Sequence, residues 1–405
     1  MAWFDTQKRQ YEEERRKRVQ PNSIAELHRT FRHWLCLEDT DLIDVVLASV
    51  LDRKVSGDPV WLMLVAASGG LKTEILRSVL SLPYVLEIDN LTSRSIITGR
   101  VKPNSTENVT GLAKEANGKV LVFKDFTELL SKNQWERQEI IGQFRTWYDG
   151  HVSRRFGSTD RIVTVDSTIG LIAGVTPAID LFTSVLGVLG ERFLKFRHFQ
   201  DREKARNKSR ENAGREEYMR AELREAVSHH LNKNIDLTWV PNVPTVIGDR
   251  IGCLAELTAL ARASVPRSIG EGGAECAIEP EYSTRIYKQL LKLAQMLAIV
   301  RQLTVVGKAE LRTISRIAID SCVPHRIDVL KALYGRVLTG YEVAQMTGIP
   351  RPNVYRGLEN LEALGFVTVS DDQPTSYRLT PLITKGLEAV FQKTPKGDLG
   401  GLFPI

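Results

Sequence analysis

Cysteine is scarce. The chain has four in 405 residues, Cys36, Cys253, Cys276 and Cys322, far apart and without metal-ligand spacing. That scarcity argues against a cysteine-held metal and predicts an intracellular, cytoplasmic protein with ordinary core thiols. No uninterrupted apolar run reaches the length needed to cross a membrane, and the start, MAWFDTQKRQYEEERRKR, lacks the apolar core of a signal peptide. No membrane partner is therefore expected. Neither sign of charge dominates: 55 Lys and Arg against 49 Asp and Glu leave a formal net charge of +6, which leans towards an anionic partner without identifying one. Apolar residues make up 42% and charged residues 26%, ordinary values for a chain that can bury a sizeable core in two or three domains.

What the sequence does contain is organised around residues 61–75, WLMLVAASGGLKTEI. An apolar run suited to a buried strand breaks at Ser68-Gly69-Gly70, passes Lys72-Thr73 and resumes with helical spacing at Ile75, Leu76, Val79 and Leu80. A phosphate loop needs strand, glycine turn, lysine and helix in that order. Backbone N–H groups and the helix N-terminus cradle the phosphates, the lysine reaches their oxygens, and the following hydroxyl, here Thr73, coordinates Mg²⁺. ATP and Mg²⁺ are thus the expected ligands. Two glycines of the full pattern are missing, with Ala66 at the first position and Leu71 directly before the lysine. Leu71 is the larger departure, because glycine there permits a conformation that a bulky side chain resists; Gly69-Gly70 offers flexibility one residue earlier. A plain strand-to-helix turn with a solvated lysine fits the same residues.

Downstream, the apolar strand 120–123 ends just before Asp125, a carboxylate suited to the Mg²⁺ shell beside such a loop. The glutamate that customarily follows and activates water is Phe126; Glu128 is the nearest replacement. Residues 132–149 have helical spacing, with Trp135, Ile140, Phe144 and Trp147 as packing residues. The segment 150–168 reads as a hairpin carrying Arg154, Arg155 and Arg161, which can track phosphate oxygens of DNA. GLIAGVTP, 170–177, is a further buried strand, and Thr176 stands where a polar residue meets the γ-phosphate or the attacking water. Arg192 precedes another apolar strand and is a candidate arginine finger for a neighbouring subunit. Residues 201–229 alternate charge sign and predict a solvated helix, and residues 7–20 a solvent-exposed helix or disordered arm. The strongest helix of the second half, 283–300, carries Arg285 near its start.

From 325 the pattern is three helices, the second capped at Thr339 and the third running from Arg351 to Ala363, then strands at 366–370 and 376–379 around the turn Asp371-Asp372-Gln373-Pro374. This predicts a winged helix-turn-helix with Arg351, Asn353, Tyr355 and Arg356 on the recognition helix. Acidic and basic residues nearly balance there, so a partner-docking module fits as well as a DNA reader.

The constellation from Lys72 to Arg285 resembles the AAA+ ATPases, in particular minichromosome-maintenance-like helicases and replication ATPases of phages and integrating elements. The resemblance covers roughly residues 30–320 and rests more on the order of elements than on intact motifs. It implies an α/β P-loop NTPase core with a helical lid, Walker A at Lys72-Thr73, Walker B at Asp125, a hairpin inserted before sensor 1 at Thr176, an arginine finger at Arg192 and a sensor 2 arginine at Arg285. It further implies a homo-oligomeric ring with DNA in its channel, working with replication proteins. The expected domains are an N-terminal helical arm (1–50), the ATPase core (51–200), a helical linker and lid (201–320), the winged helix (321–392) and a tail (393–405). The expected function is that of an ATP-hydrolysing helicase or loader of mobile-element replication. The alternative is a winged-helix transcription regulator with a nucleotide-sensing or catalytically weak ATPase-like domain.

Overall fold

The computed structural model describes residues 2–69, 71–98, 111–156, 161–182, 192–263, 265, 281–381, 383, 384 and 387. The chain divides into two compact units: Met1–Ile179 with Arg192–Val243 and Lys292–Gly307, and Asp180–Glu191 with Pro244–Leu291 and Lys308–Ile405.

The first unit is mixed α/β. Its strands are β1 (Trp61–Val65), β2 (Val85–Glu87), β3 (Val120–Phe123), β4 (His151–Phe156), β5 (Arg161–Asp166), β6 (Gly170–Val175) and β7 (Phe193–Arg197). Five of them form a parallel sheet in the order β2-β3-β6-β1-β7, and β4 and β5 pair antiparallel as a separate hairpin. β1, β3 and β6 are buried along their whole length, which is why they read as continuous apolar runs without alternation.

Helices α1 (Ala2–Val19), α2 (Ile24–Trp34), α3 (Asp41–Val50), α4 (Lys72–Val79), α5 (Ser93–Ile96), α6 (Leu112–Glu115), α7 (Thr127–Leu130), α8 (Gln134–Tyr148), α9 (Arg202–Glu211) and α10 (Glu216–His229) belong to this unit. Phe144, Trp147 and Tyr148 of α8 join Trp61, Phe123, Phe126 and Phe193 in an aromatic cluster of mostly edge-on and tilted pairs. Each such ring removes on the order of 150–250 Å² from water, so the cluster is a principal source of stability here. The two indoles at its margin satisfy their N–H groups, Trp61 on the Ile169 carbonyl and Trp147 on the Ser167 hydroxyl.

Three expectations are corrected here. Trp135 is not a packing residue: it is 84% exposed on the first turn of α8. The segment 201–229 is two helices separated at Gly214, whose positive φ of 80° is a conformation glycine adopts freely. The second of them, α10, is amphipathic: it buries Met219, Leu223, Ala226 and Val227 on one face while Glu217, Tyr218, Arg224 and Glu225 stay exposed. In α1, Arg16 and Lys17 are exposed, while Arg15 and Arg18 form ion pairs with Glu222 of α10, which also accepts from the Trp34 indole. Alternating charges look solvated in one dimension; here they are pairs made between helices.

The second unit holds α11 (Thr245–Arg262), the start of α12 (Thr284–Val300), α13 (Lys308–Asp320) and the winged helix. The latter comprises α14 (Pro324–Leu333), β8 (Leu338–Thr339), α15 (Gly340–Thr347), α16 (Arg351–Ala363), β9 (Val367–Val369) and β10 (Ser376–Leu379), the strands ordered β8-β10-β9. Thr339 and Glu342 form a capping box that starts α15, and Gly348 at φ 68° ends it, which sets the turn into α16. β8, two residues long, is an additional strand that no periodicity announced. Arg326 of α14 donates to the carbonyls of Ala261 and Ala263 at 3.0 and 2.6 Å, satisfying carbonyls at the C-terminal end of α11.

Candidate functional site

The parallel strands bring three turns together at the carboxyl edge of the sheet, the end where α/β folds bind ligands. β6 is the tie between them. Ala66 at the end of β1 donates its N–H to Val175, Phe126 after β3 donates to Gly174, and Thr176 donates to the Thr127 hydroxyl. The Lys72 loop, the Asp125 turn and Thr176 are thereby held side by side, although the first and last are more than a hundred residues apart in the chain. On the other flank, His198 after β7 donates its N–H to Val65.

Lys72 is only 6% exposed and folds back over the loop, donating to the carbonyls of Ala66 at 3.0 Å and Ala67 at 3.3 Å. Burial pulls its ammonium below the ordinary lysine value, and the Asp125 carboxylate offsets part of that pull. Thr73 follows on the first turn of α4, half-buried, while Ser68 and Gly69 are exposed. Gly70 lies outside the described residues. Leu71 sits at φ −62°, ψ −13°, ordinary helical backbone, and Gly69 has a positive φ of 76°. The backbone of Leu71 therefore needs no conformation that glycine alone adopts readily. The exposed turn at Ser68 and Gly69 thus leads into the N-terminus of α4, with Lys72 buried over its carbonyls and Thr73 half-buried behind it.

Asp125 is exposed and its Oδ1 accepts from the Thr127 N–H at 2.9 Å, which fixes the turn after β3. Phe126 is 1% exposed in the aromatic cluster, so the position next to Asp125 serves the core and not the solvent edge. Glu128 is exposed on α7. Sequence reasoning missed Glu74, on the first turn of α4, where two arginines hold it. Arg220 of α10 binds it with two hydrogen bonds of 2.9 and 2.8 Å, and Arg77 adds one of 2.7 Å. Burial pushes its carboxyl up, but these bonds and charges outweigh it and the carboxyl ends below its usual range. A glutamate two residues after a lysine carries no signal of a partner 146 positions away.

Arg192 stands at the opposite edge. It precedes β7, whose Phe193 pairs with Trp61 at the start of β1, so the five residues of β1, roughly 16 Å of strand, separate it from the Lys72 loop. It is buried, donates to both carboxylate oxygens of Asp149 at 3.1 and 3.2 Å and lies over the Tyr148 ring. Arg285 is in the second unit, facing Glu281 at 3.6 Å.

The hairpin arginines separate by face. Arg154 shares the inner face with buried Val152 and donates to the carbonyls of Ser93 and Ile97 at the two ends of α5. Arg155 is on the exposed face opposite Ile162, and the Arg161 side chain lies outside the described residues. On α16, Arg351, Asn353, Tyr355 and Arg356 are all exposed, while Val354, Gly357, Leu358 and Leu361 face the core. The guanidinium of Arg351 stacks 4.2 Å over the Tyr341 ring of α15, and Tyr355 packs against Gly340 so closely that a β-carbon there would meet its ring at 2.5 Å.

Among the described residues no cluster of His, Cys, Asp and Glu could hold a metal by itself, and no helix is long and apolar enough to cross a membrane. The model of a winged-helix family, the sugar-specific transcriptional regulator TrmB, matches residues 328–382, which run from within α14 through the wing described above. No curated protein matches the chain.

Proposed function

We propose that this chain is a winged-helix DNA-binding regulator whose α/β unit senses a nucleoside triphosphate, Mg²⁺-ATP, at the Lys72 loop. The observation that carries the reading is Lys72 itself. A buried lysine whose ammonium is spent on two loop carbonyls beside Asp125 is a cation held ready for exchange onto phosphate oxygens. The TrmB match supports the DNA side, since that family is described as a transcriptional regulator. Phe126 supports sensing over rapid turnover: a residue locked in the aromatic core supplies no base to activate water. In this reading Lys72 and the loop N–H groups hold the phosphates, Thr73 and Asp125 hold Mg²⁺, Thr176 reads the γ-phosphate, and α16 contacts DNA through Arg351, Asn353, Tyr355 and Arg356. Calorimetry tests it. Lys72→Ala should abolish Mg²⁺-ATP binding with an unchanged circular dichroism spectrum, and equal affinity of parent and variant would overturn the reading.

The second reading is a DNA-dependent AAA+ ATPase acting as a ring-forming helicase or loader in mobile-element replication. It is favoured by the hairpin, on whose exposed face Arg155 lies; Arg192 would have to leave Asp149 and the Tyr148 ring to reach a neighbouring subunit's nucleotide. Phosphate release stimulated by forked DNA, with strand separation, would support this reading over the first; release indifferent to DNA would count against it.

A further inference from the structure

We propose that Phe199 is the base-stacking residue of the Lys72 site and that the ligand's base is a purine. The inference rests on the nucleotide reading of that site and adds what lies beyond the phosphates.

Sheet order gives the ligand a direction. The groups suited to the metal and the terminal phosphate, Asp125 and Thr176, follow β3 and β6, on one side of β1. The remaining neighbour of β1 is β7, so a nucleotide with its γ end towards Asp125 sends its ribose and base over the end of β7. There the chain presents Phe199, 81% exposed, one residue beyond the His198 N–H bond to Val65. Adjacent strands are roughly 5 Å apart, and with Val65 opposite Arg197 the turn carrying Ala67 and Ser68 and the segment carrying Phe199 leave neighbouring strands side by side.

The exposure of Phe199 is not that of a loose loop. His198 fixes the backbone on one side. On the other, Gln200 donates its amide to the Cys36 carbonyl at 3.1 Å, and Asp201 caps α9 by accepting from the N–H groups of Glu203 and Lys204 at 2.9 Å. A large apolar ring held outward between two anchored residues beside a phosphate cradle has the property a flat base requires: a pre-ordered π-face. Stacking on an aromatic side chain tolerates any base but favours the larger purine face.

The test uses the full chain with Mg²⁺-ATP, Mg²⁺-CTP and magnesium tripolyphosphate in calorimetry. Phe199→Ala should weaken ATP about 10- to 100-fold, leave tripolyphosphate unchanged and erase the preference of ATP over CTP; Phe199→Trp should retain ATP binding. Unchanged ATP affinity in Phe199→Ala would overturn the proposal, as would equal losses for ATP and tripolyphosphate, which would make Phe199 a support of the loop itself. A parent that binds neither ATP nor tripolyphosphate would overturn the nucleotide reading, and this inference with it. A parent that binds tripolyphosphate but does not prefer ATP to CTP overturns this inference alone.

Discussion

Gly174 lies so close to Lys124 that a β-carbon added to it would sit 2.5 Å from the Lys124 carbonyl oxygen, with Leu76 of α4 at 3.2 Å. The absent side chain lets the Asp125 turn and the lysine-bearing helix close on the same strand. Gly174→Ala should therefore destabilise the unit by about 1–3 kcal/mol, because the nearest atom belongs to backbone that cannot swing away. It should also weaken the thermal shift given by Mg²⁺-ATP, since Asp125 moves with Lys124. A variant with the parent's melting temperature and the parent's shift would show that the turn is not set by this approach.

Acid should loosen α4 from α10 through Glu74. Its carboxyl is held below its usual value by Arg220 and Arg77 despite burial, so the stability it contributes is present above its unfolded value near 4.5 and is lost as pH falls through the depressed folded value. Melting temperature followed from about pH 6 to about pH 3 should show a shallower acid slope for Glu74→Gln than for the parent. Superimposable slopes would remove Glu74 from the acid response.

The two described hairpin arginines should fail in different ways. Arg155→Ala should weaken DNA binding similarly across sequences and flatten its salt dependence by roughly one unit for each phosphate that is no longer neutralised. Arg154→Ala leaves the Ser93 and Ile97 carbonyls without their donor and should raise amide exchange along His151–Phe156. A flattened salt slope with undisturbed exchange in Arg154→Ala would reverse the two assignments.

Arg192 can be tested without removing it. Asp149→Asn weakens its ion pair without removing the guanidinium, so under the second reading phosphate release should persist in that variant and be lost in Arg192→Ala. Mixed with Lys72→Ala, which keeps Arg192, the Arg192→Ala protein should recover release above the sum of the two alone, because some interfaces then join an intact arginine to an intact loop. An effect of an arginine finger is on the order of thousandfold or more, large enough to read in a mixture. No recovery in oligomers shown by native mass spectrometry to contain both proteins would leave Arg192 as the structural partner of Asp149.

The elements legible in the sequence were those whose signals are local. β3 and α16 fall on the residues that periodicity and punctuation marked, 120–123 and 351–363, and the Thr339 cap and the Gly348 turn are where their residue types place them. The lysine loop was legible for the same reason, as strand, glycine, lysine and helix are neighbours in the chain. Composition and pattern could not say what backbone Leu71 would adopt; the structure gives it ordinary helical angles, with a positive φ at Gly69.

The sequence by itself thus determined which segments become strand, turn and helix, since spacing and capping act over a few residues. Only the tertiary structure decided which of them meet. Burial of parallel strands in the order β2-β3-β6-β1-β7 put Asp125, Thr176 and Lys72 on one edge and Arg192 on the other. It turned Glu74 and Glu222 from surface acids into pairs with distant arginines and left Trp135 exposed where its helical spacing suggested packing. The reason is physical: a charge or a ring is buried or exposed according to the neighbours that fold against it, and those neighbours lie tens to hundreds of residues away.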